Sequence, residues 1–150
     1  MAGTGAVLLA GCTGGDGGDG GSSDLGGGGP TPIELHNDRD TTNEDQYRHY
    51  PVSILEDATV RLDCFVRDGP AVDFFFTSED EFSEYEAGNR FQYNQELSAF
   101  EATSLTDSED LASDDYVFVV DNTDRLEAQP PSNFDEDPVD VEVTITATPL

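Results

Sequence analysis

Negative charge is the feature of this sequence that most restricts what it can fold into. The 150 residues include 33 acidic and 6 basic side chains, so the formal net charge is −27. A compact chain concentrates these like charges, and their repulsion destabilises it at ordinary ionic strength. In molar salt the Debye length falls to about 3 Å, which screens most of that repulsion. The composition therefore favours a folded protein from a high-salt habitat.

The charge also excludes two classes of partner. All six basic residues are arginines, and no run of them forms a patch that could neutralise phosphates. We therefore expect no nucleic-acid binding, and no direct docking onto an anionic membrane surface. An intrinsically disordered acidic chain is the alternative to a folded domain. The sequence favours a folded domain, because it contains nine Phe, five Tyr and several runs of β-branched residues.

The N-terminus predicts a lipid anchor. Leu9, Ala10, Gly11 and Cys12 resemble the lipobox of bacterial and archaeal lipoproteins, in which the cysteine thiolate accepts a lipid. Two hydrocarbon chains on Cys12 would hold the protein stably on the outer face of the cell membrane. Residues 1–12 then represent a truncated signal peptide, because the apolar stretch is short and no basic residue precedes it. The alternative is a cytosolic protein in which Cys12 is an ordinary thiol.

A glycine-rich segment follows the cysteine. Residues 13–32 contain two glycine runs and few side chains that could contribute to a core, so they predict a flexible linker. Random-coil scaling gives such a linker a reach of roughly 25 Å. The order of lipobox, linker and acidic domain resembles that of lipoproteins from halophilic archaea.

Residues 33–150 predict one acidic domain built mainly of strands. Apolar side chains alternate in residues 57–67, where Val60, Leu62 and Cys64 share a face, and again from Val139 onward. Further strands are predicted over 47–55, 71–77, 96–105 and 114–121. Pro51 places the first of these at a sheet edge or a bulge. Within residues 114–121, the run from Tyr116 to Val120 is apolar on both faces, which is typical of a central strand.

One helix interrupts the strands. Ser78 and Glu81 form the pattern of a capping box, and Phe82 and Tyr85 lie three residues apart on one face. Gly88 stands where a left-handed C-terminal cap is expected. The fold class predicted is an antiparallel β-sandwich, jelly-roll-like, with one short helix.

Two stretches resemble the emp24/GOLD-type jelly-roll sandwich of extracellular prokaryotic proteins. The first runs from Val72 to Thr77 and continues through Phe82, Tyr85 and Gly88; the second is the strand from Tyr116 to Thr123. The resemblance covers roughly residues 47–148. It implies a binding or interaction module, and it carries over no catalytic residue.

Candidate chemical sites are few. Cys64 shares a face with apolar residues, which favours a buried thiol over a nucleophile. Residues 36–40 and 133–137 contain oxygen ligands but do not fit a calcium-loop spacing, so a solvated acidic face is favoured. Asp135 and Asp137 are the first choice should a divalent ion bind. Neither a hydrolase motif nor a phosphate-binding loop is present, and no cofactor is expected.

We therefore expect a cell-surface, lipid-anchored module without catalytic activity, which contacts an envelope protein or a glycan. Two alternatives remain open at this point. One is an accessory subunit or a solute-capturing lipoprotein, and the other is an enzyme of an unrecognised type. A deep pocket with converging polar groups would favour an enzyme.

Overall fold

The computed structural model describes residues 29–128 and 137–150, and within them the chain forms a two-layer antiparallel sandwich. Its strands and helix, in chain order, are β1 (Ile33–Thr42), β2 (Gln46–Ile54), β3 (Ala58–Asp68), β4 (Val72–Ser78), α1 (Glu79–Glu86), β5 (Asn94–Ala102), β6 (Ser104–Leu111), β7 (Asp114–Asn122) and β8 (Val139–Pro149). The first sheet has the order β1-β8-β3-β6 and the second β2-β7-β4-β5. This interleaving of two four-stranded sheets is the jelly-roll arrangement, so the predicted fold class is confirmed.

The two sheets differ in what covers their outer faces. In β8, buried and half-buried residues alternate, as they do through most of β3, because the outer face of the first sheet meets solvent. In the second sheet, β4 is buried on both faces, and β7 is buried on both faces from Val117 onward. Helix α1 packs on that outer face, where Phe75 contacts Tyr85 with ring centroids 4.9 Å apart. The two-sided apolar pattern of residues 114–121 is thereby explained.

The first sheet carries much of the charge on its exposed face. Arg39 pairs with Asp140 at 2.7 Å, Arg61 with Asp63 at 2.9 Å and Arg67 with Glu142 at 2.8 Å. Such exposed pairs contribute little stability each, about 0–1 kcal/mol. The interior between the sheets, in contrast, is apolar and includes Val60, Leu62, Phe74, Phe118 and Ile145. Burial of these side chains is the main stabilising term.

Several local predictions are confirmed. Ser78 caps α1 and accepts a hydrogen bond from the amide of Glu81, and Gly88 has the left-handed φ of 77°. Pro51 lies in β2, which is an edge strand. Gly69, in the turn after β3, has φ 105°, and a Cβ there would lie 2.7 Å from the carbonyl oxygen of Pro138.

Residues 36–40, interpreted from the sequence as a solvated acidic face, lie within β1, paired with β8, and residues 37–39 are exposed. Two local predictions are wrong. Residues 96–105 are not one strand but the end of β5 and the start of β6, which a turn at Thr103 separates. The carboxylate of Glu81 does not close the capping box. It accepts a hydrogen bond from the amide of Gln92 at 2.7 Å and thereby ties the loop after α1 to the helix.

Cys64 lies in the core, as expected, with no exposed surface. Burial raises the pKa of its thiol to about 12, and the neighbouring Asp63 adds to the shift. Few molecules therefore carry a thiolate here at neutral pH, and the thiolate is the form that reacts.

Two substitutions test this placement. Replacing Cys64 with Ala should cost about 1 kcal/mol of unfolding free energy, because only a small apolar group is lost. Replacing Cys64 with Asp should cost more than about 3 kcal/mol, because an unpaired carboxylate would be buried. Urea unfolding in molar KCl measures both. Equal tolerance of the two variants would place Cys64 outside the core.

Candidate functional site

The candidate site is a groove between the C-terminal end of α1 and the segment that follows β7. Its volume is about 430 Å³. Tyr85, Gly88, Asn89, Phe91, Arg125 and Leu126 are among its lining residues. We refer to it below as the Arg125 groove.

Aromatic side chains build the floor of the groove. Tyr85 is buried and its ring lies 4.9 Å from that of Phe75 and 5.4 Å from that of Phe91. The contacts continue outward from Phe91 to Tyr93 at 6.1 Å and from Tyr93 to Phe100 at 5.0 Å. Tyr93 is 39 % exposed, so this row of rings reaches solvent.

Two buried carboxylates hold one wall of the groove in place. Asp73 on β4 and Asp121 on β7 are register partners on the helix-facing side of the second sheet. The Asp73 carboxylate accepts hydrogen bonds from the amides of Glu127 and Ala128 at 3.1 and 2.9 Å. Asp121 accepts from the amide of Thr123 at 2.7 Å. The segment 123–128, which carries Arg125, is therefore pinned at both ends.

Asp121 also joins this wall to the helix, because Tyr85 donates its hydroxyl hydrogen to the carboxylate. Burial and the neighbouring Asp121 raise the pKa of Tyr85 above its ordinary value, so its hydroxyl stays protonated. Burial likewise raises the pKa of Asp73, although hydrogen bonds from the backbone amides of Glu101, Ala128 and Glu127 oppose the shift. Both carboxylates are enclosed and engaged by donors, which suits a structural role better than proton transfer to a substrate.

Arg125 is the unusual charged residue of the groove. Its guanidinium lies 5.6 Å from the ring centre of Tyr85 and 5.9 Å from that of Tyr47. It makes no ion pair with any residue of 29–128 or 137–150, whereas Arg39, Arg48, Arg61 and Arg67 each pair with a carboxylate. Arg90 is likewise unpaired within the described part of the chain, and it stands between the lining residues Asn89 and Phe91.

The electrostatics of the groove combine this cation with one nearby acid. The carboxylate of Glu86 lines the groove and accepts a hydrogen bond from the hydroxyl of Tyr47 at 2.8 Å. The Arg125 guanidinium forms no ion pair with a described residue, so its five N–H donors can serve a ligand. Chemically, the groove offers ring faces for stacking and a planar donor group for an anion.

The residues predicted from sequence as sites are mostly elsewhere. Leu9, Ala10, Gly11, Cys12 and Asp135 lie outside the described residues. Asp137 is described and lies just before β8, away from the groove lining. Among the described residues, no three His, Cys, Asp or Glu side chains converge as a metal site, and no helix is long and apolar enough to cross a membrane.

The sequence did not point to Arg125. Forty residues separate it from Tyr85. Arg125 follows β7 whereas Tyr85 lies in α1, which follows β4, and no spacing in the sequence predicts that the two meet. That no described carboxylate pairs with Arg125 depends on where each carboxylate lies, which only the folded chain defines. The aromatic residues of α1 were predicted to cover the sheet, but not to form the floor of a groove.

No protein-family model matches the sequence, and a search of curated proteins also gives no significant match. The function must therefore be inferred from the chemistry of the groove and from the N-terminal sequence.

Proposed function

We propose that this protein is a lipid-anchored, non-catalytic binding module on the outer face of the cell membrane of a halophile. The anchor is the lipid on Cys12, and residues 13–32 form the linker that holds the sandwich clear of the headgroups. The support for the anchor is the sequence Leu9-Ala10-Gly11-Cys12 with a glycine-rich segment directly after it. The support for the habitat is the net charge of −27.

The ligand we propose is a carboxylate-bearing saccharide, bound in the Arg125 groove. The observation that carries this proposal is the guanidinium of Arg125, which lies above the rings of Tyr47 and Tyr85 and pairs with no carboxylate of the described residues. A planar guanidinium can bind a carboxylate through two parallel hydrogen bonds, which fixes the orientation of the ligand. Since no acidic residue of the described segments pairs with Arg125, its guanidinium can bind the carboxylate of a ligand.

The size and lining of the groove suit one or two sugar rings. Its volume of about 430 Å³ lies in the lower range of small-molecule sites. Phe91 lines the groove together with Arg125 and contacts the partly exposed ring of Tyr93, so the two rings offer flat apolar faces to a ligand. High salt also matters here, because it screens the repulsion that the acidic surface would otherwise exert on an anionic ligand.

The chemistry favours binding over catalysis. Asp73 and Asp121 are the buried carboxylates nearest the groove wall, and both are enclosed and occupied by backbone or tyrosine donors. Cys64, whose thiol pKa is raised to about 12 by burial, lies between the sheets rather than in the groove. These features do not support a nucleophile or a general acid at the groove.

The binding experiment uses the full chain in molar KCl, with an oligosaccharide of uronic acids as the probe and calorimetry as the measurement. We expect saturable binding that weakens by about tenfold or more in the variant Arg125→Gln, because a charge-assisted bidentate contact is lost. Arg61→Gln is the matched control, since Arg61 is exposed on the opposite sheet and pairs with Asp63. That variant should bind as the unaltered protein does.

Three outcomes would overturn the ligand assignment. The first is equal affinity of Arg125→Gln and Arg61→Gln, and the second is equal binding of the uncharged, carboxyl-reduced oligosaccharide. The third is binding of acidic peptides in preference to the saccharide, which would point to a protein partner instead.

The anchor has its own test. Replacing Cys12 with Ser in cells should release the protein into the medium or leave it unprocessed, because no thiolate can accept the lipid. Fractionation and mass spectrometry of the N-terminus measure the outcome. If the Ser variant stays in the membrane at the level of the unaltered protein, the proposed lipid anchor on Cys12 is contradicted.

A further inference from the structure

A second place in the fold, the corner between β1, β7 and β8, contains buried oxygen atoms without a partner in the described segments. Oδ1 of Asn122 and Oδ2 of Asp137 are both buried, and no described residue donates a hydrogen bond to either. Asn122 has no exposed surface at all. An unsatisfied buried acceptor costs about 1–3 kcal/mol, and more when it carries charge. Two such atoms in one corner call for an explanation.

These oxygen atoms belong to side chains that are held next to one another. Nδ2 of Asn122 donates to the carbonyl oxygen of Asp137 at 3.2 Å and to that of Thr42 at 3.1 Å. The orientation of the amide is thereby defined, because the reverse orientation would set Oδ1 against two carbonyl oxygens. Oδ1 therefore points away from both carbonyl oxygens, and no group of residues 29–128 or 137–150 donates to it.

A second carboxylate lies at the same corner. Oε2 of Glu44, in the connection between β1 and β2, accepts from the amide of Asp137 at 3.4 Å. Neither Glu44 nor Asp137 pairs with an arginine or a histidine of the described residues. The carboxylate of Glu44 and the amide of Asn122 thus both contact the backbone of Asp137, next to its carboxylate.

We propose that Glu44, Asn122 and Asp137 bind a calcium ion. Carboxylate and amide oxygens are the ligands that calcium prefers, and its flexible coordination tolerates a site completed by water. The ion would satisfy the two orphaned oxygens and neutralise the two carboxylates at once. Bound there, it would tie the β1–β2 connection to the start of β8, so calcium should raise the melting temperature.

This inference is independent of the proposed lipid anchor and saccharide ligand. It shares only Asp137 with the sequence prediction of a divalent ion at Asp135 and Asp137, since Asp135 lies outside the described residues. Asn122 and Glu44 were not candidates, because they are 15 and 93 residues from Asp137 in the chain.

The test uses the full chain, stripped of metal with a chelator and kept in molar KCl. Titration with calcium chloride should show one saturable site by calorimetry and a rise of several degrees in melting temperature. Asp137→Asn and Glu44→Gln keep the size of the side chain and remove its charge. Each should weaken calcium binding by about tenfold or more, because affinity follows the charge of the ligands.

Asp110→Asn is the matched control, because Asp110 is an exposed carboxylate on β6 that accepts from Thr59. It should bind calcium as the unaltered protein does. The proposal is overturned if the unaltered protein shows no saturable binding, which would leave the oxygens to water. It is also overturned if Asp110→Asn loses as much calcium affinity as Asp137→Asn does. Equal increases in melting temperature with magnesium and with calcium would overturn it as well, since either result indicates general screening of the surface carboxylates by divalent cations.

Discussion

Repulsion among carboxylates is the constraint that this sandwich has to accommodate, and the layout of the fold follows from it. Apolar side chains fill the space between the sheets, while the acidic residues lie mainly on exposed surfaces. Four of the six arginines are committed to exposed ion pairs, each of which contributes little. Burial of the apolar layer is therefore the main stabilising term, and we propose that counterions screen the outer surface.

Two buried carboxylates on the helix-facing side of the second sheet, Asp73 and Asp121, are matched with donors, and they position the groove. Asp73 and Asp121 bind the amides of the segment 123–128 and place Arg125 above the aromatic floor. At the end of β7, successive side chains point to opposite sides of the sheet. Asp121 accordingly faces Tyr85 and the groove, while Asn122 faces the corner of the proposed calcium site. One strand end thus supports both proposed sites.

Local patterns in the sequence predicted much of this fold, because most strands and the helix carry their own signals. Apolar residues alternate in β3 and β8 and run together in β7, which predicts the burial of each strand. Ser78 predicts the start of α1. Strand β1 was not predicted as a strand, since its burial pattern is irregular and a bulge between Glu34 and His36 shifts its register. The boundary at Thr103 was missed because no Gly or Pro marks it.

The sites were harder to predict than the fold, and for a physical reason. An unpaired arginine and an unsatisfied amide are defined by what is missing around them in three dimensions. Arg125 acquires its role from Tyr47 and Tyr85 on other elements, and Asn122 from Thr42 and Asp137. No property of either residue in the sequence distinguishes it from its neighbours.

The most direct test of the account is the unfolding of the purified protein as a function of KCl concentration, followed by circular dichroism at constant calcium. If counterion screening permits the compact state, the melting temperature should fall steeply as salt decreases, with loss of the cooperative transition at tens of millimolar. Sucrose in place of KCl should not restore that transition, because it screens no charge. An unchanged melting temperature from molar to millimolar salt would contradict the account.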